Sequence, residues 1–425
     1  MSTISIKKSE LKGQVQIPGS KSHTIRAIAL ASLADGTSII KSPLDSFDTQ
    51  AAINAYRSLG ADITKEDDRI TIKGVNGAVK PPEDIIDVLN SGTTLRIALG
   101  SAALLAEGYA VLTGDEQIRS RPMGPLCKSL NDLGAHVFST QNNDKCPIVV
   151  GGMLRGGVTT LEAITSQYLT SLLINGPLAE ADIRILVPVL HEKPYVYITL
   201  NWLKELGIKV GHNKDLSEVL IPGCQGYKSF EKSIPADFSS ATFFLAAGAI
   251  HNNSILVKGL DMNDPQGDKA VIDYLKQMGA TVSFEPEGIR VEAGELIGNE
   301  IDLNATPDAL PMMAVLACFA QGKTSLRNVP QARLKETDRI AVMAKELGKM
   351  GAKITEMDDG LIIEEAPLTG TEVCGHKDHR VVMALSIAGL SSRGETIIND
   401  IEAVGVTYPG FFKTLESLGA HLRHV

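Results

Sequence analysis

Apolar and polar residues follow a pattern along the chain that recurs six times. Each copy ends an amphipathic helix with Leu or Met followed by Gly and then enters a β-prone run, as in YRSLGADI, LNDLGAHV, LKELGIKV, LKQMGATV, LGKMGAKI and LESLGAHL. A glycine at this place can adopt the left-handed conformation that ends a helix. The spacing of 68 to 74 residues predicts six copies of one structural unit, whose final glycines are Gly60, Gly134, Gly207, Gly279, Gly351 and Gly419.

The residues around each phrase predict the contents of the unit. After the glycine, segments such as ADITKEDDRITIKG, ATVSFEPEGIRVEAG and AKITEMDDGLIIEEA contain two β-prone runs around a turn, the pattern of a hairpin. Upstream lie another strand and an apolar helix, for example HTIRAIALASLA or SATFFLAAGAI. The predicted unit is βαβαββ, and the predicted fold class is α/β (α+β), with two domains of three repeats each.

The two ends of the chain predict how the repeats are distributed. The sixth copy stops at AHLRHV, one strand short of a hairpin, whereas the amino-terminal STISIKK is a strand with no helix before it. Since a lone edge strand is unfavourable, we expect the amino-terminal strand to pair with the last repeat. The predicted domains are residues 1–18 plus 234–425 and residues 19–233, with a hinge at the two crossings. A solenoid scaffold is the alternative, but the polar motifs of a scaffold would repeat from copy to copy, whereas those of this chain differ between copies.

Composition narrows the classes of function. The chain has 425 residues and a formal charge of −9, with no tract rich in Lys and Arg, which argues against a nucleic-acid or anionic-membrane partner. The longest apolar runs fall well short of the roughly 20 residues that span a bilayer, and the amino terminus has no signal-peptide run. Five scattered cysteines have no metal or redox spacing. We expect a cytoplasmic protein with reduced thiols.

Three segments of the first half place cations at the starts of predicted helices. PGSKSHTIR begins a helix with Lys21 and carries Arg26 about one turn further on; NSGTTLR has Arg96 in its first turns; RSRPMGPL sets Arg121 on a loop before Pro122. The N–H groups of a helix start, its dipole and a nearby cation favour an anion. Capped helices with exposed charges are the alternative for each segment.

Three segments of the second half combine cations with carboxylates. RLKETDRI predicts a helix that carries Lys335 and Arg339 on one face with Glu336 beside them. DHRVVMA begins a helix with Arg380 at its amino end, and NATPDALPMMA places Asp308 just before another helix. A surface charge ladder is the alternative for RLKETDRI.

These segments together predict an enzyme whose cleft closes on two small polyanions. Asp308 and Glu336 are the candidates for moving protons at the reacting centre. His376 and His379 could be metal ligands, but no third ligand is apparent, so we expect no metal. Charge and periodicity do not identify the reaction.

The same segments resemble the motifs of the 5-enolpyruvylshikimate-3-phosphate synthases, within the enolpyruvyl transferase family. PGSKSHTIRA, NSGTTLR, RPMGPL, TSQYLTSLL, EKPYVYITL, DFSSATFFLAA, PDALPMMA, RLKETDRI, DHRVVMA and TYPGFF correspond in order to family motifs along nearly the whole chain. The resemblance implies a two-domain fold of six βαβαββ units. It also implies an enzyme that transfers the enolpyruvyl group of phosphoenolpyruvate to the 5-hydroxyl of shikimate 3-phosphate. The reaction would pass through a tetrahedral intermediate and release phosphate. The enzyme is expected to be cytoplasmic and monomeric and to need no metal or cofactor.

The resemblance further implies roles for individual residues. Those expected to bind shikimate 3-phosphate are Lys21, Ser22, Arg26, Thr165, Ser166, Gln167, Tyr195, Asp308, Gln331 and Lys335. Those expected to bind phosphoenolpyruvate are Lys21, Gly92, Arg121, Gln167, Arg339 and Arg380. Asp308 would accept the hydroxyl proton, Glu336 would act as acid and base at the methylene carbon, and Lys21 would touch both substrates. Glyphosate is expected to compete with phosphoenolpyruvate in the space that Gly92 leaves.

Four positions depart from the usual family pattern. Glu192 replaces a serine and would repel a phosphate, so we expect it to turn away or to contact a cation. Val406 replaces a lysine, whose contact is then missing or supplied by Lys413. Gln331 replaces an asparagine, and Thr165 replaces a serine, each with the same kind of hydrogen-bonding group.

Two other functions remain alternatives. The sister enzyme that transfers enolpyruvate to UDP-N-acetylglucosamine has a cysteine five residues before an Arg-Pro pair, where this chain has Glu116. A non-catalytic anion-binding protein of the same fold would not need both Asp308 and Glu336. It would bind the ligands without releasing phosphate.

Overall fold

Two units, each with its own hydrophobic core, make up the computed structural model, which describes residues 2–425. Unit 1 consists of the amino-terminal segment up to Pro18 and of residues 235–425. Unit 2 consists of residues 19–234. The chain therefore passes from one unit to the other after Pro18 and again after Ile234.

The helices alternate with strands along both units. The α-helices are α1 (Lys21–Leu33), α2 (Phe47–Ser58), α3 (Gly92–Ala102), α4 (Glu116–Ser120), α5 (Gly124–Asp132), α6 (Ser166–Asn175), α7 (Lys193–Glu205), α8 (Phe238–Gly248), α9 (Val271–Gln277), α10 (Leu310–Ala317), α11 (Arg339–Lys349), α12 (His379–Ser391) and α13 (Phe411–Ser417). The strands are β1 (Thr3–Lys7), β2 (Lys12–Gln16), β3 (Thr37–Lys41), β4 (Asp62–Lys65), β5 (Arg69–Lys73), β6 (Ile86–Asp87), β7 (Leu104–Thr113), β8 (His136–Ser139), β9 (Ile148–Met153), β10 (Gly157–Ala163), β11 (Ile183–Leu190), β12 (Gly211–His212), β13 (Glu218–Ile221), β14 (Glu231–Ser233), β15 (Ser254–Lys258), β16 (Thr281–Glu285), β17 (Gly288–Glu292), β18 (Glu300–Asp302), β19 (Lys323–Arg327), β20 (Lys353–Met357), β21 (Gly360–Glu364), β22 (Glu372–Cys374), β23 (Glu395–Asn399) and β24 (His421–His424).

The sheets share one strand arrangement, as the repeat predicts. In the sheet β18-β19-β21-β20, β18 pairs in parallel with β19, and β20 and β21 form an antiparallel hairpin beside it. Within residues 2–425 the strands form six such four-stranded sheets. The six helix-ending glycines all have φ between 74° and 103°, so the left-handed helix ends are confirmed. The expected α/β fold class is confirmed as well.

The first strand of the chain completes the last repeat. β1 pairs antiparallel with β24 and with β23, so it supplies the hairpin strand that the sixth copy lacks. Ile4 and Ile6 on this strand are fully buried in the core of unit 1. The predicted pairing of the amino-terminal strand is confirmed. Two other strands join sheets from a distance in sequence, since β2 pairs with β15 and β14 pairs with β3.

The first helix of each repeat is almost entirely buried. These helices, buried on all faces, are α1, α3, α6, α8, α10 and α12. A helix that is buried all round is surrounded by other elements. Solvent and ligands can therefore reach such a helix mainly at its ends, and the candidate motifs lie at the amino-terminal ends.

Two expectations from composition can be compared with the structure. No helix within residues 2–425 is long and apolar enough to cross a membrane. The five cysteines are free thiols, and burial raises the pKa of Cys127 and of Cys318 to about 12. Buried thiols of this kind are poor nucleophiles, so the expected structural role of these two cysteines is supported.

Candidate active site

A buried arginine in unit 1 lies among three carboxylates. Arg339, the first residue of α11, has a side chain that is 1% exposed. Its Nε donates to Asp378 at 2.9 Å, its Nη1 to Asp308 at 2.7 Å and its Nη2 to Glu336 at 2.6 Å. Burial alone would lower the pKa of Arg339, but these three carboxylates raise the pKa well above its usual value. The guanidinium is therefore a fixed positive charge that holds Asp308 and Glu336 together.

A second buried arginine lies beside this cluster. Arg380, near the start of α12, is 1% exposed, and its Nη2 lies 3.5 Å from Asp308. The ring of Phe243 lies under the guanidinium, 5.7 Å from Cζ to the ring centroid. Within residues 2–425, no hydrogen-bond acceptor reaches Nε or Nη1 of Arg380. Unused donors on a buried cation are suited to an anion.

The segment RLKETDRI is not one helix, so that prediction is wrong. A 3₁₀ turn covers Pro330–Leu334, Lys335 is extended, and α11 begins only at Arg339. Asp338 caps α11 by accepting from the backbone N–H of Ala341 at 3.0 Å. The cap fixes the helix start after Asp338, so Lys335 and Glu336 lie on a connection.

The predicted Gln331 is 3% exposed, next to the same segment. Its Nε2 donates to the carbonyl oxygen of Asn304 at 3.0 Å, while its Oε1 has no hydrogen-bond partner within residues 2–425. A buried amide oxygen of this kind can accept from a ligand hydroxyl. Val406 is buried and Lys413 is exposed on α13, and the expectation for Lys413 stays a prediction.

In unit 2, the start of α3 brings two arginines against a glycine. A Cβ on Gly92 would lie 2.4 Å from Nη1 of Arg121 and 2.5 Å from Nη1 of Arg96. Arg96 Nη1 donates to Oε1 of Gln167 at 2.8 Å, and the ring of Tyr168 lies 5.7 Å from its Cζ. Burial, partly opposed by Tyr168, lowers the pKa of Arg96. Arg121 lies on a loop before Pro122, as predicted; it follows α4, and the next helix, α5, begins at Gly124 rather than at Pro122.

The first residue of α1 pairs with a carboxylate of the next helix. Lys21 Nζ lies 3.1 Å from Oδ2 of Asp48, and the two side chains are 14% and 4% exposed. Ser22 follows Lys21 and is half-buried. Lys21 is thus restrained at the helix start where an anion was predicted.

Arg26 connects three helices of unit 2. It is 2% exposed, and its guanidinium donates to Thr199 Oγ1 at 2.9 Å, to the carbonyl oxygens of Ser22 at 2.9 Å and Tyr195 at 3.0 Å, and to Thr170 Oγ1 at 3.3 Å. Burial lowers the pKa of Arg26 to about 10, so it remains charged at neutral pH. Of the five N–H donors of a guanidinium, three hold α1 to α6 and α7, one bonds within α1 to Ser22, and one remains for a ligand.

The amino-terminal end of α6 carries three predicted residues and one unexpected neighbour. Thr165 caps the helix, Ser166 is its first residue, and Gln167 donates from Nε2 to Thr93 Oγ1 at 3.1 Å. Glu192 is 2% exposed, and its Oε2 accepts from Oγ of Ser166 at 2.8 Å and from its backbone N–H at 3.2 Å. Of the two outcomes expected for Glu192, turning away from these residues is wrong.

Sequence reasoning missed two carboxylates of these clusters. Asp378 holds Arg339 and caps α12, where it accepts from the backbone N–H of Arg380 at 2.8 Å. An aspartate before a helix start is a recognisable capping signal, so Asp378 could have been found. Asp48 lies in the first turn of α2 after a capping Ser46. Nothing in its own segment indicates that Lys21 is its partner.

The clusters can support proton transfer next to bound anions. In unit 1, Asp308 and Glu336 are 19% and 11% exposed and share Arg339. Two carboxylates held by one cation can exchange protons with a substrate in place. In unit 2, Gly92, Arg96, Arg121 and Gln167 lie together, while Ser166 and Thr165 form the adjoining helix start. Within residues 2–425, no group of three His, Cys, Asp or Glu side chains is placed to hold a metal ion.

Known proteins are similar to the chain over nearly its whole length. The family model described as EPSP synthase (3-phosphoshikimate 1-carboxyvinyltransferase) matches residues 6–415. The chain is 53% identical over 419 residues to a 3-phosphoshikimate 1-carboxyvinyltransferase of Acetivibrio thermocellus and 51% identical over 419 residues to one of Ruminiclostridium cellulolyticum, with 99% of each chain covered. Among solved structures, an EPSP synthase of Acinetobacter baumannii matches with a TM-score of 0.84 at 28% identity, covering 100% of both chains.

Proposed function

The chain belongs to the EPSP synthase family, the 3-phosphoshikimate 1-carboxyvinyltransferases, and on that premise we propose which of its residues perform the family's reaction. The enzyme is a transferase of the shikimate pathway. It transfers the enolpyruvyl group of phosphoenolpyruvate to the 5-hydroxyl of shikimate 3-phosphate, so the function expected from the sequence is confirmed, and the UDP-N-acetylglucosamine alternative is not favoured.

The reaction needs a proton at two places. Protonation of the methylene carbon makes the middle carbon of phosphoenolpyruvate electrophilic, and the 5-hydroxyl adds to that carbon while losing its proton. The tetrahedral intermediate then returns a proton from the methyl group and expels phosphate. An acid that later acts as a base and a separate base for the hydroxyl are therefore required.

Arg339 among its carboxylates is the observation that supports the assignment most strongly. It holds Asp308 and Glu336 within 2.7 Å of one guanidinium, so both groups have fixed positions. We assign Asp308 as the base for the hydroxyl proton and Glu336 as the acid and base at the methylene carbon. Arg380, with two donor nitrogens, Nε and Nη1, directed to no protein acceptor within residues 2–425, would bind phosphoenolpyruvate with Arg339. Gln331 and Lys335 would contact shikimate 3-phosphate.

Unit 2 would supply the remaining contacts. Gly92, Arg121 and Gln167 would meet phosphoenolpyruvate, because the backbone at Gly92 lies against two guanidinium groups. The start of α6 and the side chains around Arg26 would hold shikimate 3-phosphate, with Lys21 in contact with both substrates. The residues assigned to shikimate 3-phosphate in this unit are Lys21, Ser22, Arg26, Thr165, Ser166, Gln167 and Tyr195.

We also propose that the enzyme works without metal or cofactor, in the cytoplasm and as a monomer. The first point is tested by measuring activity in the presence of a chelator, the second by cell fractionation, and the third by analytical sedimentation. A metal requirement, recovery with membranes or a stable dimer would each contradict one of them.

The test of the assignment is phosphate release from a mixture of phosphoenolpyruvate and shikimate 3-phosphate. Wild-type protein is expected to release one phosphate per transfer, which an anion-binding protein would not do. Asp308→Asn and Glu336→Gln are each expected to lower kcat by about 10²- to 10⁴-fold, the usual contribution of a general acid or base. Substrate binding, measured by calorimetry, should change much less.

Glu300→Gln is the matched control for charge removal in the same unit. Glu300 is exposed and pairs only at the surface with Arg327, at 3.3 Å, so kcat should not change. A folded Asp308→Asn or Glu336→Gln variant with wild-type kcat would remove that residue from the mechanism.

A further inference from the structure

Glu192 occupies the helix start that the proposed function assigns to shikimate 3-phosphate, and the phosphate is the group of that substrate suited to a helix start. Its Oε2 accepts from the backbone N–H of Ser166 at 3.2 Å, from Ser166 Oγ at 2.8 Å and from Thr165 Oγ1 at 3.3 Å. A backbone N–H at a helix start and two hydroxyls are the donor set that an anion uses. A carboxylate of the chain itself is bound to them.

The contact is built into the local backbone. Glu192 has φ 57° and ψ 39°, the left-handed conformation that is uncommon for a residue with a side chain. α7 begins at the next residue, Lys193, and the N–H of Tyr195 donates to the carbonyl oxygen of Glu192 at 3.0 Å. The start of α7 thus directs the Glu192 carboxylate to the start of α6, where it is 2% exposed. An unstrained surface glutamate would not be held this way.

We propose that Glu192 is a built-in competitor of the substrate phosphate at the start of α6, and that it sets the affinity for shikimate 3-phosphate. This inference rests on the proposed function, which assigns Thr165 and Ser166 to that substrate. One set of donors cannot hold two anions at once, because the second would be buried against a like charge. Shikimate 3-phosphate therefore binds only after Glu192 has left Ser166.

The competition makes the apparent affinity depend on how often Glu192 is displaced. If the displaced form is about one-tenth of the population, the measured dissociation constant is about tenfold weaker than the intrinsic one. Removal of the carboxylate should recover that factor. Phosphoenolpyruvate, which is assigned to other residues, should be affected much less.

The experiment compares wild type with Glu192→Ser and Glu192→Gln in phosphate-release kinetics and in direct calorimetric binding of shikimate 3-phosphate. We expect Glu192→Ser to lower the KM for shikimate 3-phosphate about tenfold, with a smaller decrease for Glu192→Gln, which keeps the side-chain volume and a hydrogen-bond acceptor. The KM for phosphoenolpyruvate should stay within about twofold. An unchanged or raised KM for shikimate 3-phosphate in both variants, or an equal decrease for both substrates, would overturn the proposal.

Glu162→Gln is the control variant. Glu162 is an exposed carboxylate on β10, close in sequence to Thr165, and its removal changes the net charge by the same amount. Its kinetics should match wild type. If Glu162→Gln lowers the KM as much as Glu192→Ser does, the effect comes from net charge, and the competition at α6 is refuted.

Inorganic phosphate tests Glu192 independently of catalysis. Thermal unfolding is followed in phosphate and in chloride at equal ionic strength. Phosphate should raise the Tm of Glu192→Ser more than that of wild type, since a ligand stabilises only the form that binds it. Equal shifts would count against the competition. A wild-type protein that releases no phosphate from the two substrates would instead refute the proposed function, and the Tm comparison would still decide the role of Glu192.

Discussion

The substitution Gly92→Ala tests whether close approach at the start of α3 is needed for phosphoenolpyruvate. The added Cβ would lie 2.4 Å from Nη1 of Arg121 and 2.5 Å from Nη1 of Arg96, whereas ordinary contact begins at 3.4 Å. Both guanidinium groups must therefore retreat by about 1 Å. Arg96 cannot do so freely, because its Nη1 donates to Gln167 at 2.8 Å.

The displacement sets the expected size of the effect. A shift of about 1 Å in a group that positions a substrate costs about 10²-fold in rate. We therefore expect kcat/KM for phosphoenolpyruvate to fall about 100-fold in Gly92→Ala, which corresponds to about 2.7 kcal/mol. The same loss of space should raise the glyphosate concentration needed for half-inhibition, because the inhibitor is expected to compete for that position.

The assay is phosphate release at saturating shikimate 3-phosphate with phosphoenolpyruvate varied, in the presence and absence of glyphosate. Gly348→Ala is the matched control, since Gly348 lies in α11 and an added Cβ there meets nothing within 4 Å. It should leave the kinetics unchanged and stabilise the protein by about 0.5–1 kcal/mol. A folded Gly92→Ala with wild-type kcat/KM for phosphoenolpyruvate would refute the reasoning.

Two further variants test the buried charges of unit 1 by urea unfolding. Asp378→Asn should lower the free energy of unfolding by about 3 kcal/mol, because it removes the charge that holds the buried Arg339 at 2.9 and 3.2 Å. A loss below about 0.5 kcal/mol would show that the pair of Asp378 and Arg339 is not needed for stability. Burial raises the pKa of Glu346, but hydrogen bonds from His376 and Lys349 outweigh burial and lower it below 4.5. The stabilisation by the Glu346 carboxylate is therefore fully present above pH 4.5 and is lost as the pH falls through the lower folded pKa. Glu346→Gln should be less stable than wild type by about 1.5 kcal/mol at pH 7, and the difference in the free energy of unfolding should shrink below about pH 4.5. A difference that does not depend on pH would contradict this.

The repeats were predictable because each leaves a local signal. A helix that ends on glycine and enters a hairpin uses residues close in sequence, so Gly60 and its five counterparts mark the units without tertiary information. The strands β2 and β14, which join sheets formed by residues far away in the sequence, have no such local signal. β14 has three residues, EKS, and β2 has one buried residue, Val15. β2 pairs with β15 and β14 pairs with β3, strands far away in the sequence, and no local pattern records such a pairing.

The residues of the candidate site were predictable where a charged side chain lies at the start of a helix. Asp308 and Arg380 lie at such starts, and the structure has them there. RLKETDRI was misinterpreted because helical spacing was given more weight than Asp338, whose cap delays α11 to Arg339. The contact of Glu192 with Ser166 was not predicted, because its sequence neighbours reveal neither its left-handed backbone nor its distance from Ser166.

Arg339 and Arg380, the two buried arginines of unit 1, differ in how their donors are used, and the difference suggests separate tasks. Arg339 makes four hydrogen bonds to Asp308, Glu336 and Asp378, so most of its five N–H groups hold carboxylates. Arg380 has Nε and Nη1 buried without an acceptor among residues 2–425. A buried cation with unused donors is costly until an anion arrives. We therefore infer that Arg380 provides the stronger attraction for phosphoenolpyruvate, whereas Arg339 mainly sets the positions from which Asp308 and Glu336 transfer protons.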